Sequence, residues 1–242
     1  MSTPMKQRLD ILLVEKGLAE TRSKAKQMIE SGLVSASCGG ILSKPSQNVP
    51  IDIDIIIAET QQFVSRAALK LERAITYWNI SVNNLTCLDV GASTGGFTEV
   101  LLKRHAAKVY AVDVGQGQLH HSIKNNPNVI SLEKTNCKDL STKLIPEPID
   151  LIVCDVSFIS LEKALPAALS LGNALVALIK PQFEVGKENI GQGVVKDEAL
   201  QQAVCKKIET WLKDIGWKVH GITDSPILGK EGNKEFLIYA TK

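Results

Sequence analysis

The chain predicts an α/β protein, with a mostly parallel, doubly wound sheet that ends in antiparallel strands and a small α+β unit in front of it. Three observations carry this. Thr86 to Val90 reads as a short apolar strand running into the glycine-rich turn of LDVGASTGGF, residues 88–97, after which a helix carries Val100, Leu101 and Leu102. A second apolar strand, Val109 to Val112, closes on Asp113, and strand, glycine turn, helix and strand ending in acid is the nucleotide-cradling half of a doubly wound domain. Two further apolar strands, Ile149 to Cys154 and Ala174 to Ile179, flank a helical stretch, and the final pair, Trp217 to Ile222 and Phe236 to Ala240, reads as a hairpin.

Taken in order, residues 6–17 place Leu9, Leu12 and Leu13 on one helical stripe that stops at Gly17. Thr21 caps a second helix to about Glu30, with Ala25, Met28 and Ile29 apolar. Short β-prone pieces follow around Cys38-Gly39-Gly40, then the alternating strand IDIDIII from Ile51 to Ile57. Polar, patternless residues 58–62 mark the domain boundary, giving units 1–62 and 63–242. A helix capped by Ser65 spans Phe63 to Trp78, with Arg66, Lys70 and Arg73 on one face. After Asp113 come a short helix within GQGQLHHSIK, a strand from Val129 to Leu132, and a helix from Leu161 to Leu171. Gly186 to Lys196 reads as a mobile loop, and Asp197 caps a long helix to about Asp214.

Composition excludes several classes. Hydrophobic residues are 44% of 242, enough for a well-buried core, while aromatics at 5% argue against a protein that grips single strands mainly by stacking. A net charge of +2 means that nucleic-acid binding must rest on local patches. No apolar run reaches the roughly 18 residues of a membrane span, and MSTPMKQRLD lacks a secretion signal's apolar core, so a cytoplasmic location is expected. Five cysteines with no C-x-x-C pair read as reduced, packed thiols. The four histidines show no metal-ligand spacing, and His120 and His121 are expected on different sides of a helix.

Charge is uneven along the chain. Residues 1–50 hold Lys6, Arg8, Lys16, Arg22, Lys24, Lys26 and Lys44 against four carboxylates, with Lys6 and Arg8 at the start of the first helix and Arg22 and Lys26 sharing a face of the second. This is either a solvated basic face or a nucleic-acid contact. In the larger unit, three apolar strands end on a charged residue: Asp113, Asp155 and Lys180. Ligands in open α/β sheets bind off the carboxyl ends of strands. A lysine directly after LVALI must emerge into a cleft, because an unpaired buried ammonium is costly. Asp155 and Lys180 lie side by side if their strands are neighbours.

The turn spacing Gly91-x-x-x-Gly95-Gly96 is looser than the dinucleotide pattern and resembles the S-adenosylmethionine loop of methyltransferases. RLDILLVEKGLAETRSKAKQMIESGLV resembles the S-four-type RNA-binding domain. FVSRAALKL, YAVDVGQGQL, DLIVCDVSFISL, LIKPQFEVGKENIGQGVVKD and GNKEFLIYA, together with the turn, resemble the TlyA family across essentially the whole chain. Those are ribosomal RNA 2′-O-methyltransferases, historically labelled hemolysins, with an FtsJ/RrmJ-like catalytic domain of Rossmann-like methyltransferase fold. The resemblance implies S-adenosyl-L-methionine as cofactor, ribosomal RNA or ribosomal subunits as partner, no membrane partner and no metal. It implies a catalytic set Lys70, Asp155, Lys180 and Glu235, of which Lys180 is expected to be the base, since a ribose hydroxyl needs one and desolvation favours the neutral amine. It implies a cofactor set Gly91, Ala92, Ser93, Gly95, Gly96, Phe97, Asp113 for the ribose and Asn136 at the adenine edge. Lys6, Arg8, Arg22, Lys24, Lys26 and Arg66 are expected to contact RNA. Two departures stand out: Ser37-Cys38-Gly39 where the family has valine-asparagine-glycine, and Arg66-Ala67-Ala68 where it has arginine-glycine-glycine. A non-catalytic ribosome-assembly factor and a membrane-active hemolysin are the competing classes.

Overall fold

A computed structural model describes residues 5–30, 33–37, 42–57, 63–185, 193–229 and 231–242. The chain forms two compact units, Met1–Gln62 and Phe63–Lys242.

In the first unit, β1 (Lys6–Arg8) leads into α1 (Leu9–Glu15), followed by α2 (Arg22–Glu30), β2 (Val34–Ala36), β3 (Asn48–Pro50) and β4 (Ile55–Ile57). Two antiparallel ladders, β1 with β3 and β2 with β4, close over Leu9, Leu12, Leu13, Ala25, Ile29, Val34 and Val49. Thr21 Oγ1 accepts from Lys24 N, the cap that starts α2. Two expectations need correcting. Lys6 lies on a strand rather than at a helix start, since residues 6–8 pair with residues 48–50, while Arg8 ends that strand as the N-cap of α1. The run Ile51 to Ile57 is not one strand, because a turn at Ile51 and Asp52 transfers the chain between the two ladders and leaves only Ile55–Ile57 paired. Alternation alone cannot show where a ladder ends. The Cys38-Gly39-Gly40 hook lies outside the described residues.

The second unit is a single seven-stranded sheet between helices. Its elements are α3 (Ala68–Tyr77), β5 (Thr86–Val90), α4 (Gly96–Lys103), β6 (Lys108–Val112), α5 (His121–Lys124), β7 (Val129–Leu132), β8 (Leu151–Cys154), α6 (Leu161–Ala164), α7 (Pro166–Leu169), β9 (Ala174–Ile179), α8 (Pro181–Glu184), α9 (Glu198–Asp214), β10 (Lys218–Asp224) and β11 (Phe236–Thr241). The strand order is β10-β11-β9-β8-β5-β6-β7, with β5 to β9 parallel and β11 antiparallel to both its neighbours. Period-two alternation sends Leu175, Ala177 and Ile179 to the face covered by α6, α7 and α9, and Val176 and Leu178 to the face covered by α3 and α4.

Two boundaries differ from the periodic pattern. The helix expected from Phe63 begins only at Ala68: Val64 N donates to Glu99 Oε2 at 2.6 Å and Ser65 Oγ accepts from Ala67 N, which holds 63–67 as a turn against α4. Leu161 to Leu171 splits at Leu165, where Pro166 has no N–H for the continuing ladder. The expected loop Gly186 to Lys196 lies largely outside the described residues, while Asp197 Oδ1 caps α9 through Ala199 N and Leu200 N. Among the described residues no helix is long and apolar enough to cross a membrane.

One carboxylate is sealed inside this core. Asp89 on β5 is fully buried, its Oδ2 accepts from Thr98 Oγ1 at 2.6 Å, and its Oδ1 has no partner. Burial pushes its pKa up to about 7, against the opposing Thr98 hydrogen bond and with smaller repulsion from Asp155 and Asp113. The folded chain therefore holds a proton that the unfolded chain, with an aspartate pKa of about 3.9, releases. Stability should fall as pH rises from about 4 to about 7 and level off above. Denaturant midpoints at pH 5 and pH 8 should show a smaller loss for Asp89→Asn, which keeps an acceptor for Thr98, than for the parent chain. Equal losses would show that Asp89 ionises without cost.

Candidate functional site

The carboxyl ends of β5, β6, β8 and β9 open on one edge of the sheet, and the charged strand ends collect there. The turn after β5 is built by its backbone. Gly91 N and Ala92 N both donate to Val112 O, and Gly95 N donates to Ala92 O. Gly91 and Gly95 have φ of 86° and 96°, a region open to glycine. A Cβ at Gly91 would stand 2.9 Å from Asp155 O, and one at Gly96 would stand 2.9 Å from Ser65 Cβ, so β8 and the start of α3 press directly on the turn. Phe97 is 2% exposed and anchors α4 beneath it. Asp113, one residue past β6, accepts from Ser93 N at 2.8 Å on Oδ2 and from Gly115 N at 2.7 Å on Oδ1. It ties the turn to the β6–α5 loop, and each oxygen keeps a second lone pair for a ligand.

Strands β8 and β9 are parallel neighbours, so Asp155 and Lys180 do lie side by side. Lys180 is 7% exposed; its Nζ stands 2.6 Å from Asp155 Oδ1, an ion pair outside hydrogen-bond geometry, and donates to Ser157 Oγ at 2.9 Å. Across the sheet Phe236 pairs with Ile179, so Glu235 and Lys180 leave their strands at the same end. Glu235, 3% exposed, accepts from Lys70 Nζ of α3 at 2.6 Å.

A cavity of about 150 Å³ is lined by Gly91 to Thr94, Gly96, Asp155, Ser157 and Lys180, among others. A smaller adjoining pocket holds Asp113 with Ser93, Gln118 and Glu133. Asn136 lines neither; it is exposed, and its Oδ1 caps a short 3-10 turn through Lys138 N. Arg66 is exposed beside the turn at Ser65. In the first unit Arg8 and Arg22 are joined to Asp10, Lys26 leans toward Glu30, and Lys6 and Lys24 are exposed.

Sequence reasoning missed Ser157 and Phe158, while Glu184, expected from the sequence to cap or line the cleft, does cap. Ser157 holds Lys180, and Glu184 caps α6 through Leu161 N, with burial pushing its pKa up to about 7. Phe158 is 90% exposed and left-handed at φ 66°, with its ring centroid 5.0 Å from that of Phe183. No periodic pattern marks these residues. A phenylalanine three residues past the Asp155 strand end was the one available signal.

Among the described cysteines, burial raises the pKa of Cys87, Cys137, Cys154 and Cys205, which disfavours a reactive thiolate. No group of three or more His, Cys, Asp or Glu among the described residues could hold a metal. His120 and His121 do not diverge, because His120 precedes α5 as its cap and the two rings lie 4.2 Å apart.

A parallel sheet with an antiparallel C-terminal pair, a loose glycine turn and flanking carboxylates defines a Rossmann-like α/β unit of the methyltransferase type. Comparison with known proteins narrows this. Residues 63–242 match the FtsJ-like methyltransferase model and residues 7–35 match the S4 domain. The chain belongs to the FtsJ-like methyltransferase family. It is 41% identical over 238 residues to the 16S/23S rRNA (cytidine-2'-O)-methyltransferase TlyA of Mycobacterium tuberculosis, covering 96% of this chain and 88% of that protein. It is 40% identical over 237 residues to hemolysin A of Brachyspira hyodysenteriae, covering 96% and 98%. A solved structure described as a hemolysin from Streptococcus thermophilus superposes with a TM-score of 0.74 at 38% identity, over 100% of this chain and 90% of that one.

Gly91→Ala combines a left-handed φ with a Cβ 2.9 Å from a backbone oxygen. Its affinity for S-adenosylmethionine, measured by calorimetry, should fall by about five- to thirtyfold, since strain of roughly 1–2 kcal/mol displaces the turn. Unchanged affinity would show that the turn does not hold the cofactor.

Proposed function

We propose that this protein transfers a methyl group from S-adenosylmethionine to a ribose 2′-hydroxyl of ribosomal RNA, with Lys180 as the base. The observation that carries the reading is a nearly buried lysine amine, paired to a carboxylate, in the same small cavity as the glycine turn. The residues present suit the cofactor. Asp155 offers a carboxylate to its cationic methionine end, Asp113 offers lone pairs to a ribose diol, and Gly91 to Phe97 brings bare backbone to its side. Asn136, exposed at the start of the 137–139 turn, would meet the adenine edge.

When bound, the cofactor supplies an electrophilic methyl on a sulfonium. The remaining work is alignment and removal of one proton. Lys180 Nζ would take the 2′-hydroxyl proton as that oxygen is methylated, and the bound cofactor would supply the methyl group and a thioether leaving group. Ser157 and Asp155 fix the direction of that amine. Lys70 and Glu235 form a sealed, charge-balanced pair at the same strand ends, and they position the nucleotide by holding α3 to β11. Phe158 supports a nucleotide substrate independently. A left-handed phenylalanine costs free energy of order 1–3 kcal/mol and recovers little by burial when its ring is 90% exposed. Beside Phe183 it offers a flat face on which a base can stack.

The first unit supplies the RNA grip, through Lys6, Arg8, Arg22, Lys24 and Lys26, with Arg66 contributing from the catalytic unit. Substrates of this kind, whether one or both ribosomal subunits, place the activity in the cytoplasm.

Incubation with labelled S-adenosylmethionine and separated ribosomal subunits, followed by mapping of the modified ribose, tests the reading. Cofactor binding without RNA labelling would favour a non-catalytic assembly role instead. Lys180→Ala should lower methyl transfer by about 10²–10⁴-fold, the usual contribution of a general base, with cofactor affinity close to the parent value. Full turnover by that variant would remove Lys180 from the base role. Phe158→Ala should weaken productive RNA binding by about tenfold in KM, within the stacking range of about 1–3 kcal/mol, and an unchanged KM would reject the stacking face.

A further inference from the structure

The basic side chains of the first unit are not equivalent. Two of them converge on one carboxylate. Asp10, in the first turn of α1, is 5% exposed. Its Oδ1 accepts from Arg8 Nε at 3.0 Å, and its Oδ2 accepts from Arg8 Nη2 and from Arg22 Nη2, both at 2.9 Å. Arg8 comes from the end of β1 and Arg22 from the first position of α2, so one acid joins the β1–α1 corner to the start of the second helix. The two guanidinium nitrogens share an oxygen and are therefore no further apart than twice that 2.9 Å distance.

A purely structural ion pair needs one arginine. Here the Arg8 fork alone satisfies both oxygens of Asp10, and the hydrogen bonds from Arg8 hold the acid's pKa well below the usual carboxylate range. Arg22 adds a second cation beside the first, a repulsive arrangement that a lone carboxylate only half offsets. The side chains of Arg8 and Arg22 stay 45% and 61% exposed, while that of Asp10 is 6% exposed. Nη1 of Arg8, and Nε and Nη1 of Arg22, lie outside the contact with Asp10. The cluster carries one net positive charge and presents two planar forks at fixed spacing. Forked guanidinium donors match the oxygens of a phosphodiester and lose less freedom on binding when held in place beforehand.

We propose that Asp10 is a positioning residue that presets Arg8 and Arg22 as a two-guanidinium receptor for an RNA backbone phosphate. This deepens the reading above and rests on its premise that the substrate is RNA. The proposal makes a prediction opposite in sign to that of simple charge. Neutralising an acid inside a basic patch raises the net charge from +2 to +3, and on charge alone should tighten RNA binding. If Asp10 positions the arginines, the same change weakens it.

The test measures affinity of the full chain for labelled, deproteinised ribosomal RNA at several salt concentrations, beside thermal melting and S-adenosylmethionine binding. Asp10→Asn is expected to bind RNA about tenfold more weakly, with a shallower salt dependence, while cofactor affinity is unchanged. Asp10→Asn binding as tightly as the parent chain, or more tightly, with an unchanged melt would overturn the proposal. Arg22→Lys guards against loss of fold in that variant, because it leaves the Arg8–Asp10 fork and the total charge in place. A lysine is a point charge without the fork, so about a fivefold loss is expected, and parental affinity would count against the receptor. In an Arg8→Ala/Arg22→Ala background, Asp10→Asn should cost nothing further, whereas an additive loss would mean that Asp10 acts elsewhere. Failure of the parent chain itself to bind RNA would instead bring down the underlying substrate assignment.

Discussion

An ammonium group at the end of a wholly apolar strand is the constraint around which the catalytic unit is arranged. Lys180 follows Leu175 to Ile179, all buried, and is itself 7% exposed. Such a charge is tolerated only with a partner, and the partner must come from an adjacent strand. Parallel pairing of β8 with β9 supplies Asp155 at 2.6 Å, and the loop after β8 adds Ser157. The same loop carries Asp155 O against Gly91, so the residue that neutralises the lysine also packs against the glycine turn. Displacing any of the three disturbs the other two. That coupling gives the cleft its fixed geometry.

A second buried pair extends the logic to the antiparallel part of the sheet. Lys70 reaches from α3 to Glu235 at the start of β11, joining elements 165 residues apart. Breaking one partner of such a pair leaves a buried charge, with a cost of several kcal/mol. Gly229 packs close to Glu235 as well, and a Cβ there would stand 2.5 Å from its Oε1. Asp89 lies deeper, on β5, and differs from both pairs because no cation meets it, so its burial favours the proton-bound form. Buried carboxylates of this unit thus divide by partner: Asp155 and Glu235 each face an amine at the strand ends, whereas Asp89 faces a hydroxyl within the core.

Much of this architecture was legible in the sequence. Asp113, Asp155 and Lys180 could be read as strand ends because apolar runs stop there, and Asp197 as a cap because a periodic helix follows it. Periodicity failed where a side chain far along the chain decides the backbone. Residues 63–67 match a helical stripe, yet Glu99, thirty-five residues beyond Val64, holds them as a turn. IDIDIII has the apolar alternation of a strand, yet the first ladder ends before it at Pro50 and only Ile55–Ile57 joins the second. Phe158 carries no local sign of a left-handed backbone, since phenylalanine has no preference for that region. The resemblance of six sequence blocks gave residue identities; the distances among Lys70, Glu235, Asp155 and Lys180 needed the fold.

The two units treat positive charge in opposite ways, and the difference follows from what each has to meet. In the catalytic unit each lysine at the cleft is matched one to one with a carboxylate, so the site is close to neutral and rigid. That suits alignment of a cationic cofactor, which an excess of positive charge would repel. In the first unit two arginines share a single acid, which leaves charge uncompensated at the surface. That suits a polyanion, whose phosphates supply the missing neutralisation. With a net charge of only +2 the chain has little long-range field to draw RNA inward. Recognition therefore depends on where a few charges are fixed, and fixing them falls to acids such as Asp10 that a count of basic residues would score as a loss.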